Sequence, residues 1–120
     1  MADRTAVLVV EDEPLIMIDA IQALEGAGFE VIDAYDAEHA LVQLDQRPDV
    51  KAVFTDVNMP GRYDGVALAR LVHERRPDIS ILVTSGLMKL QTSDLPAGGR
   101  FVPKPYDGEA IAGLIRELVG

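Results

Sequence analysis

Lys51-Ala52-Val53-Phe54-Thr55-Asp56-Val57-Asn58-Met59-Pro60 is the stretch that decides the fold. Ala52 to Thr55 is an apolar run of strand length, Asp56 closes it, and a loop follows at once. A second apolar run, Ala6-Val7-Leu8-Val9-Val10, ends in the same way in Glu11-Asp12. Acidic groups at the ends of two buried strands need a cation, because ionised carboxylates placed close together repel.

Working outward, apolar runs of strand length alternate with segments of helical period, which implies a parallel sheet with helical crossovers. Strands are expected near residues 6–10, 30–34, 52–55, 79–83 and 100–102. The first helix should run from Pro14 to about Ala27, with Leu15, Ile18, Ile21 and Leu24 on one face and Gly28 just beyond. The second starts near Asp36, buries Ala40, Leu41 and Leu44, and stops before Pro48. Asp64-Gly65 opens a helix through Val66, Leu68, Ala69, Leu71 and Val72 that Pro77 ends, and Asp107 opens the last through Ile111, Leu114, Ile115 and Leu118. Residues 87–99 fit no clear period, so the fourth helix is expected to be short, irregular or partly missing. The whole is an α/β, doubly wound, five-stranded parallel sheet of order 2-1-3-4-5. In that order the first and third strands lie side by side where the winding reverses, and ligands bind outside their carboxyl ends. Glu11, Asp12 and Asp56 should therefore converge, with Thr84-Ser85-Gly86 and Pro103-Lys104-Pro105 on the same edge.

With 120 residues, the chain is expected to form one domain spanning residues 1–120. A formal charge of -9, from 20 acidic and 11 basic residues, argues against nucleic acid or an anionic membrane as a direct partner. Cysteine is absent, which suits a reducing cytoplasm, and no apolar run approaches the roughly 20 residues that span a bilayer. A flavin or nucleotide binder of similar fold would carry a glycine-rich loop after the first strand, where this chain has Glu11-Asp12-Glu13. His39 and His73 are expected as surface residues, Met17, Met59 and Met88 as packing or loop residues, and Glu74-Arg75-Arg76 as a solvated charge run. Thr84-Ser85-Gly86, taken alone, has the composition of a turn.

Taken as a set, Glu11-Asp12, Asp56-Val57-Asn58-Met59-Pro60, Asp64-Gly65, Ser85-Gly86 and Lys104-Pro105 resemble the receiver domains of two-component response regulators, from Ala6 to about Val119. The resemblance implies a flavodoxin-like fold in which Asp56 takes a phosphoryl group from the phosphohistidine of a sensor histidine kinase or phosphotransfer protein. It implies a Mg²⁺ site made by Glu11, Asp12, Asp56 and the backbone carbonyl of Asn58, with Lys104 and Ser85 on the phosphoryl oxygens. Ser85 and Phe101 would be the switch residues that present a new face to a downstream protein target. Such a module is not an enzyme in the ordinary sense and catalyses only its own phosphorylation and dephosphorylation.

The chain departs from the family pattern in two places. Gly61-Arg62-Tyr63 lengthens the loop before Asp64 by one residue, which brings Tyr63 toward the site, and only 19 positions separate Ser85 from Lys104. Leu87, two after Ser85, is apolar and cannot position water, so a long-lived phosphoryl group is expected. Because the chain ends directly after its last helix, a stand-alone receiver is expected, acting as a diffusible regulator, a phosphate sink or a phosphorelay intermediate. A phosphatase of the haloacid dehalogenase type shares a strand-end aspartate and Mg²⁺. It needs a second aspartate as acid and base where this chain has Asn58.

Overall fold

The computed structural model describes residues 4–58, 61, 63–85, 95, 99–104 and 106–119. Its strands are β1 (Ala6–Val10), β2 (Glu30–Ala34), β3 (Val50–Asp56), β4 (Ser80–Ser85) and β5 (Gly99–Pro103). Among the described residues the helices are α1 (Pro14–Gly26), α2 (Ala37–Gln46), α3 (Gly65–Arg75) and α4 (Gly108–Val119). The sheet is five-stranded with the order β2-β1-β3-β4-β5, and every pairing is parallel. The expected irregular helix falls on residues 86–94 and 96–98, outside the described residues, as do Leu87, Met59, Pro60, Arg62 and the Lys104-Pro105 pair's proline.

The apolar runs form central strands because successive side chains enter opposite cores. Leu8, Val10, Val53, Ile81 and Val83 pack with Ala37, Ala40, Leu44, Leu68 and Val72 of α2 and α3. Val7, Val9, Phe54 and Leu82 pack with Met17, Ala20, Leu24, Ile111 and Ile115 of α1 and α4. Acidic side chains start the helices as expected. The carboxylates of Asp36 and Asp64 accept from the N–H of His39 at 2.8 Å and of Ala67 at 2.9 Å, and Asp107 accepts from Glu109 at 3.1 Å. At the end of α1, Gly28 has φ +97°, its N–H bonds to the Glu25 carbonyl at 3.0 Å, and Phe29 N–H bonds to that of Leu24 at 3.0 Å. This is a Schellman motif, with Phe29 and Leu24 in the same core.

Four local expectations are corrected. Along α1 the buried residues are Met17, Ala20 and Leu24, while Leu15 is 72% and Ile18 49% exposed. Steps of three residues drift around a helix, so that Leu15 and Leu24 stand about 180° apart at 3.6 residues per turn. A 17-20-21-24 pattern keeps to one stripe, and Ile21 is partly buried in it. Thr84 and Ser85 belong to β4 rather than to a turn, paired with Asp56, Val102 and Pro103 across the sheet. Arg76 is not simply solvated: its guanidinium donates to the carbonyls of Pro48 at 2.9 Å and Val50 at 3.1 Å, tying the end of α3 to the turn before β3. His39 and His73 are half-buried, and the His39 ring stacks on Tyr35 with centroids 5.4 Å apart and accepts the Tyr35 N–H at 3.2 Å.

Candidate functional site: a carboxylate cluster at the sheet reversal

β1 and β3 lie side by side at the reversal, so the residues that end them meet at one edge. Carboxylate oxygens of Glu11, Asp12 and Asp56 lie within 4.8 Å of one another. Glu11 is buried, its N–H on the Ala34 carbonyl at 3.0 Å. Its Oε2 accepts the N–H groups of Asp12 at 2.9 Å and Glu13 at 3.2 Å, which fixes the carboxylate against the start of α1. Asp12 is exposed. Asp56, 5% exposed, accepts from the Asn58 N–H through Oδ1 at 3.0 Å. Lys104 Nζ donates to its Oδ2 at 2.6 Å and stands 3.8 Å from Glu11 Oε1.

Three carboxylates therefore cluster here, and two of them, Asp56 and Glu11, share the Lys104 ammonium. Two ionised carboxylates at 4.8 Å repel by about 3.5 kcal/mol at an effective dielectric of about 20. The strain appears in Glu11, whose pKa burial raises from 4.5 to about 7. The charge of Asp56 and the side chain of Asp12 add to that rise, while the Glu13 N–H and Lys104 oppose it. Tyr106, edge-on to Phe54 with centroids 5.3 Å apart, is pushed up to about 12 by burial and then by Glu11, Asp56 and Asp19.

The backbone that carries Asp56 is held closely. Gly65 N–H donates to the Val57 carbonyl at 2.9 Å, and a Cβ on Gly65 would overlap the Asp56 carbonyl and stand 2.8 Å from Val57 Cα. Only glycine lets α3 begin so near the acid. Ser85 is buried at the end of β4, and its carbonyl accepts the Lys104 N–H at 3.1 Å. Phe101 is half-buried against the α2/α3 core, as is Tyr63. In the sequence Gly65 reads as a helix opener and as part of the receiver set, Thr84 reads only as part of a turn-like run on the site edge, and nothing marks Tyr106. Proximity to a strand end marks Thr84 in the sequence, whereas only tertiary contact reveals what Gly65 and Tyr106 touch.

An all-oxygen donor set with two buried carboxylates fits a hard divalent cation such as Mg²⁺, which favours carboxylates and water over nitrogen or sulfur. Glu11, Asp12 and Asp56 are the residues that would hold it.

A single sheet wound to both sides, with its polar groups gathered at the β1/β3 reversal, places the chain in the flavodoxin-like class of α/β modules. Within that class the chain belongs to the response regulator receiver domain family, whose model matches residues 7–116. It is 30% identical over 116 residues to the response regulator receiver protein CpdR of Brucella abortus, covering 94% of this chain and 95% of CpdR. It is also 30% identical over 123 residues to the sensor kinase CckA of Brucella abortus, of which it spans 13%. With the transcriptional regulatory protein CseB of Streptomyces coelicolor the identity is 34%, and the chain spans 51% of that protein. Among solved structures, the receiver domain of the hybrid histidine kinase CckA superposes with a TM-score of 0.83 at 28% identity, covering 96% of this chain and 99% of that one. The receiver domain of NtrX from Brucella abortus gives 0.84 at 28% identity, covering 94% and 97%. Among the described residues, no helix is long and apolar enough to cross a membrane.

Proposed function

We propose that Asp56 accepts a phosphoryl group from a phosphohistidine of a sensor kinase or phosphotransfer protein, and that the modified chain acts by binding another protein. One observation carries this proposal: a buried carboxylate at the carboxyl edge of β3, paired with Lys104 at 2.6 Å and set within 4.8 Å of two further carboxylates. An Asp56 oxygen attacks phosphorus, the P–N bond of the donor breaks, and the imidazole nitrogen leaves with the electron pair and takes up a proton. Because the transition state is loose, the site has mainly to align the reactants and neutralise charge on the equatorial oxygens. Lys104 supplies a fixed positive charge beside Asp56, and the Asn58 N–H holds Oδ1 in place. Mg²⁺ held by Glu11, Asp12 and Asp56 would supply further charge neutralisation on the transferring group.

The surface beside Lys104 offers a seat for the donor protein. A groove of about 930 Å³ between α1 and the start of α4 is lined by Ile16, Asp19, Lys104, Tyr106 and Asp107, and the exposed Leu15 and Ile18 lie on α1. Once made, an aspartyl phosphate adds about -1.5 to -2 charge and three acceptor oxygens. Ser85 and Lys104 are drawn toward it, and Phe101, packed at the edge of the α2/α3 core, moves inward to reshape the face that meets the target.

The test is intact mass after incubation with phosphoramidate, whose P–N bond mimics phosphohistidine, with Mg²⁺ or with EDTA. A metal-dependent gain of one phosphoryl group, lost in Asp56→Asn, is expected. No gain, or an equal gain in Asp56→Asn, would overturn the proposal.

A further inference from the structure

Thr84 is 2% exposed, and its Oγ1 has no hydrogen-bond partner among the described residues. Folds seldom keep a buried hydroxyl unpaired, because it gives up its bonds to water without replacing them. Valine has nearly the same outline and the same preference for strands, so neither packing nor β propensity explains a threonine here.

Its place in the sheet does. Thr84 is the cross-strand partner of Asp56 on β3 and of Val102 on β5. Phe54, Leu82 and Val102 face the α1/α4 core, whereas Val53, Ile81, Val83 and Phe101 face the other. Alternation therefore points the side chains of Asp56 and Thr84 to the α1/α4 side. Lys104 follows the end of β5, with its N–H on the Ser85 carbonyl at 3.1 Å and its ammonium on Asp56 Oδ2 at 2.6 Å. β4 lies between those strands, so the lysine stem, which starts one residue beyond Pro103, the partner of Ser85, and ends on Asp56, the partner of Thr84, passes over the end of β4.

We propose that Thr84 is a positioning residue for Lys104. Its hydroxyl is the acceptor that receives the ammonium when Asp56 Oδ2 is taken up by a phosphoryl group. An ammonium has three donors, and only Asp56 and Glu11 stand as its ionic partners among the described residues. When the Asp56 pair is broken, a hydroxyl beneath the stem keeps the charge aimed at the phosphoryl oxygens instead of swinging to solvent. In the unmodified chain that hydroxyl is idle, which is why it stands unpaired. This role rests on Asp56 being the phosphoryl acceptor.

The experiment compares the full chain with Thr84→Val, Thr84→Ser and Asp56→Asn. It reads thermal midpoint, the rate of phosphoryl uptake from phosphoramidate with Mg²⁺, and the Lys104 ammonium resonance in ¹⁵N-lysine-labelled protein with beryllofluoride. Thr84→Val is expected to melt no lower than the parent, since it loses only an unpaired hydroxyl. It should take up phosphoryl groups about tenfold more slowly, as fits loss of one hydrogen bond to a charged group. Its Lys104 resonance should broaden into solvent exchange, and Thr84→Ser should restore both rate and resonance. A Thr84→Val chain with the parental rate and a protected Lys104 resonance overturns the role of Thr84 alone. So does a clear drop in melting temperature that serine repairs, because the hydroxyl would then be structural. A parent chain that takes up no more than Asp56→Asn refutes Asp56 as acceptor, and the role of Thr84 with it.

Discussion

Glu11→Gln should make the metal-free chain more stable at alkaline pH and abolish a loss of stability that the parent shows as pH rises. Glu11 is buried beside Asp56, and its pKa in the fold is about 7 against 4.5 for an ordinary glutamate. Between those values the folded chain binds more protons than the unfolded one, so stability falls with rising pH. The favourable contribution is complete below about 4.5 and is gone once pH has passed about 7. At 1.36 kcal/mol per pH unit the full effect is at most about 3 to 4 kcal/mol. A glutamine keeps an acceptor for the Asp12 and Glu13 N–H groups and carries no charge at any pH. Urea unfolding of both chains in EDTA, from pH 5 to 8.5, isolates the contribution of the position 11 cluster as the difference between them, since carboxylates remote from it titrate alike in each. The difference should be small at pH 5 and favour Glu11→Gln by about 2 to 3 kcal/mol at pH 8.5. Parallel stability curves would refute the argument that burial and Asp56 load this carboxylate.

Mg²⁺ must displace that same proton, so its apparent affinity should rise about tenfold per pH unit below 7 and level off above, with proton release seen by calorimetry in two buffers. Gly65→Ala should destabilise the chain by about 2 kcal/mol and slow phosphorylation, because the new Cβ would strike the Asp56 carbonyl. Gly26→Ala, with no atom within 4 Å of the added Cβ, should be neutral or stabilising by up to about 1 kcal/mol, and chemical denaturation compares the two. Arg76→Ala should cost about 2 kcal/mol through lost bonds to the Pro48 and Val50 carbonyls, while leaving phosphoryl uptake at the parental rate.

The architecture was legible because its strands are buried on both faces. Val7 to Val10 and Ala52 to Thr55 need no polar alternation, and a carboxylate that ends such a run is conspicuous. Topology then brings Glu11 and Asp56 together without any local signal between them. Faces and edges were harder to read. Leu15 and Ile18 look like core residues by type, yet their angular position on α1 points them outward. Thr84 and Ser85 have turn composition, and only the ladder to Asp56, Val102 and Pro103 makes them strand. Arg76 is indistinguishable in sequence from a solvated arginine because its acceptors lie 26 to 29 residues away. The site shows the same division. Lys104, Asp56 and the acidic pair follow from strand ends, whereas the collision that reserves position 65 for glycine depends on the tertiary approach of α3.

The central claim is that Asp56 carries the phosphoryl group, and reductive trapping tests it most directly. The chain is incubated with phosphoramidate and Mg²⁺, treated with borohydride to convert an acyl phosphate to the alcohol, and sequenced by tandem mass spectrometry. Homoserine at position 56, absent in EDTA, is the predicted result. Trapping at Asp12 or Glu11, or at no carboxylate while the parent remains folded, would contradict it.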